Sequence, residues 1–255
     1  MARLRSDWQY RTSFLTLTTT QALFTALEFV ALVFIVDLVP ALGDWTKPEV
    51  AFLYALAAVP FGLSDVVVSP LETTSRYIQF GEFDRLLLRP VSPLLQIAGL
   101  DFELRRAGRL VPPIGVLVWA VANVDIAWSA GGVALLLVAL SCGTVIYSAL
   151  WVLTASVSFW AVASKEATNA FTYGGQFANE YPLHLYRGWL RLILGWAVPL
   201  AFVSYVPSQH LLGAANPLGL PSWLVFTTPA VTAGIVVVSL AVWRLGIRHY
   251  QSTGS

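Results

Sequence analysis

The chain has 255 residues, 57% of them hydrophobic and only 11% charged, with a net charge of +1. A soluble domain carries about 25% charged residues, so the composition excludes a water-soluble enzyme and reads as an integral membrane protein. Cys142 is the only cysteine, which excludes an intramolecular disulfide and a cysteine-based metal site.

A helical crossing takes about 20 mostly apolar residues, and the sequence predicts six of them. The first covers 13–39, entered through Trp8, Tyr10 and a threonine-rich stretch, and ends near Pro40 and a polar loop. It is too long and too aromatic for the apolar region of a cleaved signal. The second covers 49–69, and Pro60 and Gly62 inside it predict a bend. The third, 109–124, is short, with Pro112 and Pro113 in its first turns, where proline costs least. The fourth, 130–162, is rich in Gly, Ala and Ser, which permit close helix packing. Its length predicts tilting or protrusion. The fifth covers 188–206. The sixth, 222–243, ends in Trp243 and Arg244, an aromatic and a cation suited to the interface. Between the last two, 207–221 reads either as a re-entrant hairpin or as an outer surface loop. With no repeat, residues 1–255 read as one all-α transmembrane domain.

Basic residues are retained on the cytoplasmic side during insertion. Six crossings would put fourteen of the fifteen Lys and Arg residues on one side, Arg187 and Arg191 included, with Lys47 alone opposite. Both termini and the long segment 71–109 are therefore expected in the cytoplasm. That segment reads as an elbow. Tyr77–Pro90 combines a helix-breaking Gly81, the charges Glu82, Asp84, Arg85 and Arg89, and the run Leu86–Leu88 stopped by Pro90. It suits a rigid knob that passes a push from a soluble motor to the spans. The bland alternative is a membrane-surface helix.

A phosphate-cradling loop needs G-x-x-x-x-G-K-[ST]. Lys47 precedes Pro48 and Lys165 precedes Glu166, so neither lysine serves, and any ATP is bound by another chain. His184, His210 and His249 form no H-E-x-x-H motif, and no G-x-S-x-G elbow exists. No catalytic, cofactor or metal residue is assigned. A charge at mid-bilayer is expensive and faces a bundle interior or water. Glu28, midway along the first span, is thus a candidate for a substrate or proton path, or else a packing residue. Phe24, Tyr54 and Trp196 join it as candidate path residues. Asp37 and Asp65 lie nearer the span ends, and Asp65 reads as a packing group.

The stretch Gly81, Asp84, Leu86, Leu87, Leu88, Arg89 and Pro90 resembles the G-x-x-D-x-L-L-L-R-P pattern of permease subunits of type-2 ATP-binding-cassette (ABC) transporters. Glu180-Tyr181-Pro182 with Tyr186, Pro199 to Pro207, and Tyr250 to Gly254 resemble further elements of the same branch in order. Tyr181 departs from the expected Phe. The resemblance implies an interfacial helix within 1–12 and a coupling helix at Gly81–Pro90 seated in an ATPase groove. It also implies a re-entrant outer segment, two ABC ATPase subunits carrying ATP and Mg, and a second permease, identical or sister. It implies export of an amphiphilic or hydrophobic compound (drug, lipid or glycan) across a bacterial plasma membrane, with no role for nucleic acid. The rival readings are a secondary transporter or channel needing no ATPase, and a membrane scaffold.

Overall fold

The computed structural model describes residues 11–38, 45–100, 104–161, 165–213 and 218–251. The expected interfacial helix at 1–12 falls almost entirely outside these residues, as do 214–217 of the outer segment, the tail Ser252–Gly254 and the side chain of Asp37. The molecule is 84% helical, with no strand among the described residues.

Helix α1 spans Arg11–Leu38. Helix α2, Lys47–Val68, begins at Thr46, whose backbone N–H and hydroxyl both donate to Glu49 at 2.6 and 2.8 Å. A 3-10 turn, Ser69–Thr73, leads into the short α3, Thr74–Gln79. Next come α4, Phe83–Leu87, and α5, Pro93–Leu100. A 3-10 segment, Leu104–Leu110, feeds α6, Val111–Asn123. Helix α7, Ala130–Ser156, is capped by Ser129, whose Oγ accepts from the Gly132 N–H at 3.1 Å. Helix α8 is Lys165–Asn179 and α9 is Gly188–Leu192, extended by a π turn through Ala197. Helix α10 is Tyr205–Leu212, and α11, Thr228–His249, closes the chain.

A helix apolar on all sides belongs inside a bundle, and α2 is that helix. Phe52 to Ala57 are completely buried. Pro60 bears on Gly143 of α7, where a Cβ would stand 3.0 Å from the proline ring, so the missing side chain sets the approach of the two helices. Gly246 of α11 likewise makes room for the Phe159 ring.

Among the described residues, three helical stretches are long and apolar enough to cross a membrane: 47–79, 130–159 and 222–249. A fourth exists only if a bent pair counts as one span, against the six expected. That pair is 188–197 and 200–212, which meet at 68°. The continuous fifth span expected over 188–206 is therefore broken, at Val198–Pro199, because proline supplies no N–H to carry the helix onward.

Aromatic contacts mark the two ends of the bundle. At one end Phe83, Phe159, Trp243 and Tyr250 form a single cluster. At the other, Trp45 stacks on Tyr205, and Tyr205 meets His184, each at 6.3 Å between centroids. Tyr186 donates to the Ala178 carbonyl at 2.8 Å. Arg187 follows directly, so Arg187 and Arg191 lie in the Trp45 half of the molecule. The grouping of these two arginines with the elbow side is corrected here. The turn after α8 and the bent pair hold them beside Lys47's end instead.

Candidate functional site

The elbow is a small folded unit. Gly81 sits at φ 66°, a left-handed conformation that side chains disfavour, and turns the chain between α3 and α4. Phe83 and Leu86 point inward and are buried. The Phe83 ring lies 4.9 Å from Tyr250 and 5.3 Å from Phe159, in edge-on geometry. Gln96, itself buried, donates to the Leu86 carbonyl at 2.8 Å and the Val91 carbonyl at 2.7 Å, closing the loop that carries Arg89 and Pro90. Burial, and then the neighbouring Asp84 carboxylate, push the Tyr250 phenol up.

The opposite face of the elbow is open. Leu88 is 86% exposed and Phe80 66%, flanked by exposed Glu82, Arg85, Arg89, Pro90 and Val91. Gly81 and Asp84 are half-buried between the two faces. The candidate coupling residues thus divide into an anchored side and a presented side.

A second site lies deeper. Asp65 is fully buried and bonded to two guanidiniums, Arg106 at 2.8 Å and Arg109 at 3.2 Å. Arg109 also donates through Nε to Gln21 at 2.6 Å and stands 5.5 Å over the Tyr173 ring. The Tyr173 hydroxyl donates to Glu72 at 3.0 Å, and Arg106 donates to that hydroxyl at 3.2 Å. One network therefore joins α1, α2, the turn after α2, the 104–110 segment and α8. Sequence reasoning missed it, although a carboxylate at the foot of a span and an arginine-rich segment before the next were both visible.

Above this network is a cavity of about 60 Å³, lined among others by Phe24, Glu28, Phe61, Arg109, Gln176 and Phe177. Phe24 and Glu28 are brought together here. Tyr54 is completely buried nearby, with its ring 5.2 Å from Phe29. Trp196 is elsewhere, half exposed against Phe202 in the bent pair.

Helix α8 explains the polar side of this cavity. Its Thr172, Gln176 and Asn179 are buried, while Phe171 and Phe177 face outward. Gln176 donates to Glu180 at 2.7 Å, and Asn179 donates to the Tyr147 hydroxyl at 3.0 Å. The Ser204 hydroxyl donates to the Asn179 side chain at 2.8 Å. The polar groups recur at helical spacing, a signal present in the sequence but inverted from that of a soluble helix.

Comparison with curated proteins and with solved structures gave no match. The family model described as ABC-2 family transporter protein matches residues 22–254. That interval holds the elbow, the cavity and all of the buried ion network except Gln21. The chain belongs to this family of membrane-embedded ABC transporter permeases.

Proposed function

We propose that the chain is the transmembrane half of an ATP-driven exporter of amphiphilic or hydrophobic compounds, moved by ABC ATPase subunits that bind the elbow. The supporting observation is the two-sided elbow. Leu88 and Phe80 are presented outward, while Phe83 grips Phe159 and Tyr250 at the ends of two long helices. A partner that displaces the outer face moves those helix ends with it. A conformational change needs such a difference in partner contacts between states.

In this reading two ATPases, carrying ATP and Mg, serve a pair of permeases, identical or sister. The elbow and both termini are cytoplasmic, in a bacterial plasma membrane. Helix α8 serves as the fifth crossing. Its Tyr173 meets Glu72 near the foot of α2, and its Asn179 meets Ser204 toward the Trp45 half. The bent pair 188–212 then forms the re-entrant outer element. Tyr205 beside Trp45 supports this, as does Leu211 close to Gly132 at the start of α7. Phe24, Glu28 and Tyr54 line the path beneath it. Trp196, on the bent pair, stands at its outer mouth.

Co-purification tests the reading directly. Expressed with a candidate ABC ATPase from the same genome, the wild-type chain is expected to hold that ATPase through detergent extraction and to raise its turnover. L88A and R89A are expected to release it while keeping the permease folded. Retention of the ATPase by both variants would overturn the elbow assignment.

A further inference from the structure

We propose that the cavity between α1, α2 and α8 binds the ammonium headgroup of a cationic amphiphile, with Glu28 and Glu180 as its counter-charges. This deepens the exporter reading, on which the transport role rests, by naming the substrate class.

Four observations converge on a cation. Glu180 is 3% exposed, and its hydrogen-bond partner is the neutral amide of Gln176, which itself lines the cavity. Glu28 lines the same cavity and feels the charge of Arg109, which lines it too, but forms no ion pair or hydrogen bond among the described residues, because the Arg109 guanidinium is bonded to Asp65 and Gln21. The charges of Glu28 and Glu180 act on each other and on the Tyr54 hydroxyl. That hydroxyl is wholly buried and has no hydrogen-bond partner. Most buried polar side chains find a partner; the Tyr54 oxygen is one of several among the described residues that do not, and it is one that the charges of both Glu28 and Glu180 reach, so a donor placed between them would satisfy it.

The walls select the kind of cation. Phe24, Phe61 and Phe177 surround the carboxylate, and aromatic faces attract organic cations. A metal ion suits the site poorly, since no group of three or more His, Cys, Asp or Glu side chains stands together among the described residues. The volume, about 60 Å³, compares with about 30 Å³ for each liquid water. It admits an ammonium group and excludes a whole amphiphile. The tail has an exit: Phe24 is 63% exposed and Phe177 45% exposed, so the cavity's rim reaches the outer surface between α1 and α8. A headgroup enters the protein while its chain stays in the lipid.

The test is equilibrium binding of radiolabelled dodecylammonium and dodecanol to the full-length chain in nanodiscs of neutral lipid, with empty nanodiscs subtracted. Dodecylammonium is expected to saturate at one site per chain, and dodecanol is not. E28Q and E180Q are expected to weaken the ammonium roughly tenfold or more, the loss that about 1.4 kcal/mol of counter-charge attraction gives. Y54F removes an unsatisfied hydroxyl, so it keeps the fold and is expected to weaken binding by a smaller factor. Equal binding of the two amphiphiles to the wild type would overturn the proposal, as would wild-type affinity in both glutamine variants. If the glutamine variants do not fold, the wild-type comparison and Y54F decide. Ammonium binding by a chain that retains no ABC ATPase in the co-purification above removes the exporter reading and leaves the site standing. ATPase stimulation by other amphiphiles without ammonium binding does the reverse.

Discussion

The ring of Phe83 packs edge-on against the ring of Tyr250 at 4.9 Å, joining residues 167 positions apart in the chain. One belongs to the elbow and the other follows the last helix. The elbow is therefore fastened to the end of α11 as well as to Phe159 at the end of α7. Its two faces make opposite demands on substitution.

F83A empties a completely buried ring site, and such truncations cost about 3–5 kcal/mol. The expected outcome is a lower Tm together with loss of ATPase stimulation. L88A alters a side chain that is 86% exposed. Its stability is expected to stay within about 0.5 kcal/mol of wild type, while stimulation falls. Thermal unfolding and ATPase turnover, measured on both variants, separate anchor from presented surface. Equal loss of Tm in the two would contradict the division.

D65N removes the buried carboxylate that is bonded to both Arg106 and Arg109. Removing one partner of a buried ion pair costs about 3–5 kcal/mol, since the remaining charge stays desolvated. The variant is expected to unfold at lower temperature, and the double variant D65N/R106Q is expected to regain part of the loss. A double-mutant cycle on Tm measures the coupling; strict additivity would show that the pair contributes little.

Gly81 adopts φ 66°, and a Cβ in the left-handed region costs about 1–2 kcal/mol. G81A is expected to lower the Tm slightly and to reduce ATPase stimulation more than its stability loss accounts for, because the turn re-aims Arg85 and Arg89. Coupling that follows Tm alone would make the glycine a structural convenience.

Arg187 is exposed in the half of the molecule that holds Trp45. On a background where Cys142 is replaced by serine, R187C is expected to react with a membrane-impermeant thiol reagent added outside whole cells. R85C, on the exposed elbow, is expected to react only after the membrane is opened. The opposite pattern would invert the proposed orientation.

Much of the architecture was legible in hydropathy. The long apolar helices at 47–79, 130–159 and 222–249 fall where runs of apolar residues predict the second, fourth and sixth spans. Helix α8 was not legible. A hydropathy window averages over all faces, and in α8 the polar stripe Thr172, Gln176 and Asn179 turns inward while Phe171 and Phe177 turn out. The average looks like a cytoplasmic segment. The fifth span expected through 188–206 is apolar as read, but Pro199 divides it into two helices that meet at 68°. That Phe24 and Glu28 share one cavity was legible from their place on one helix. Glu180 was not, since its burial depends on α8 packing inside-out.

The bonds around Asp65 also limit how the bundle can change shape. Its two oxygens hold both arginines, and Arg109 reaches onward to Gln21 of α1 while Arg106 reaches Tyr173 of α8. No one of these bonds lengthens far without stranding a charge out of water. Parting α1 from α8 would thus mean exchanging the whole set for another set. A floor built this way has discrete positions and no gradual range between them.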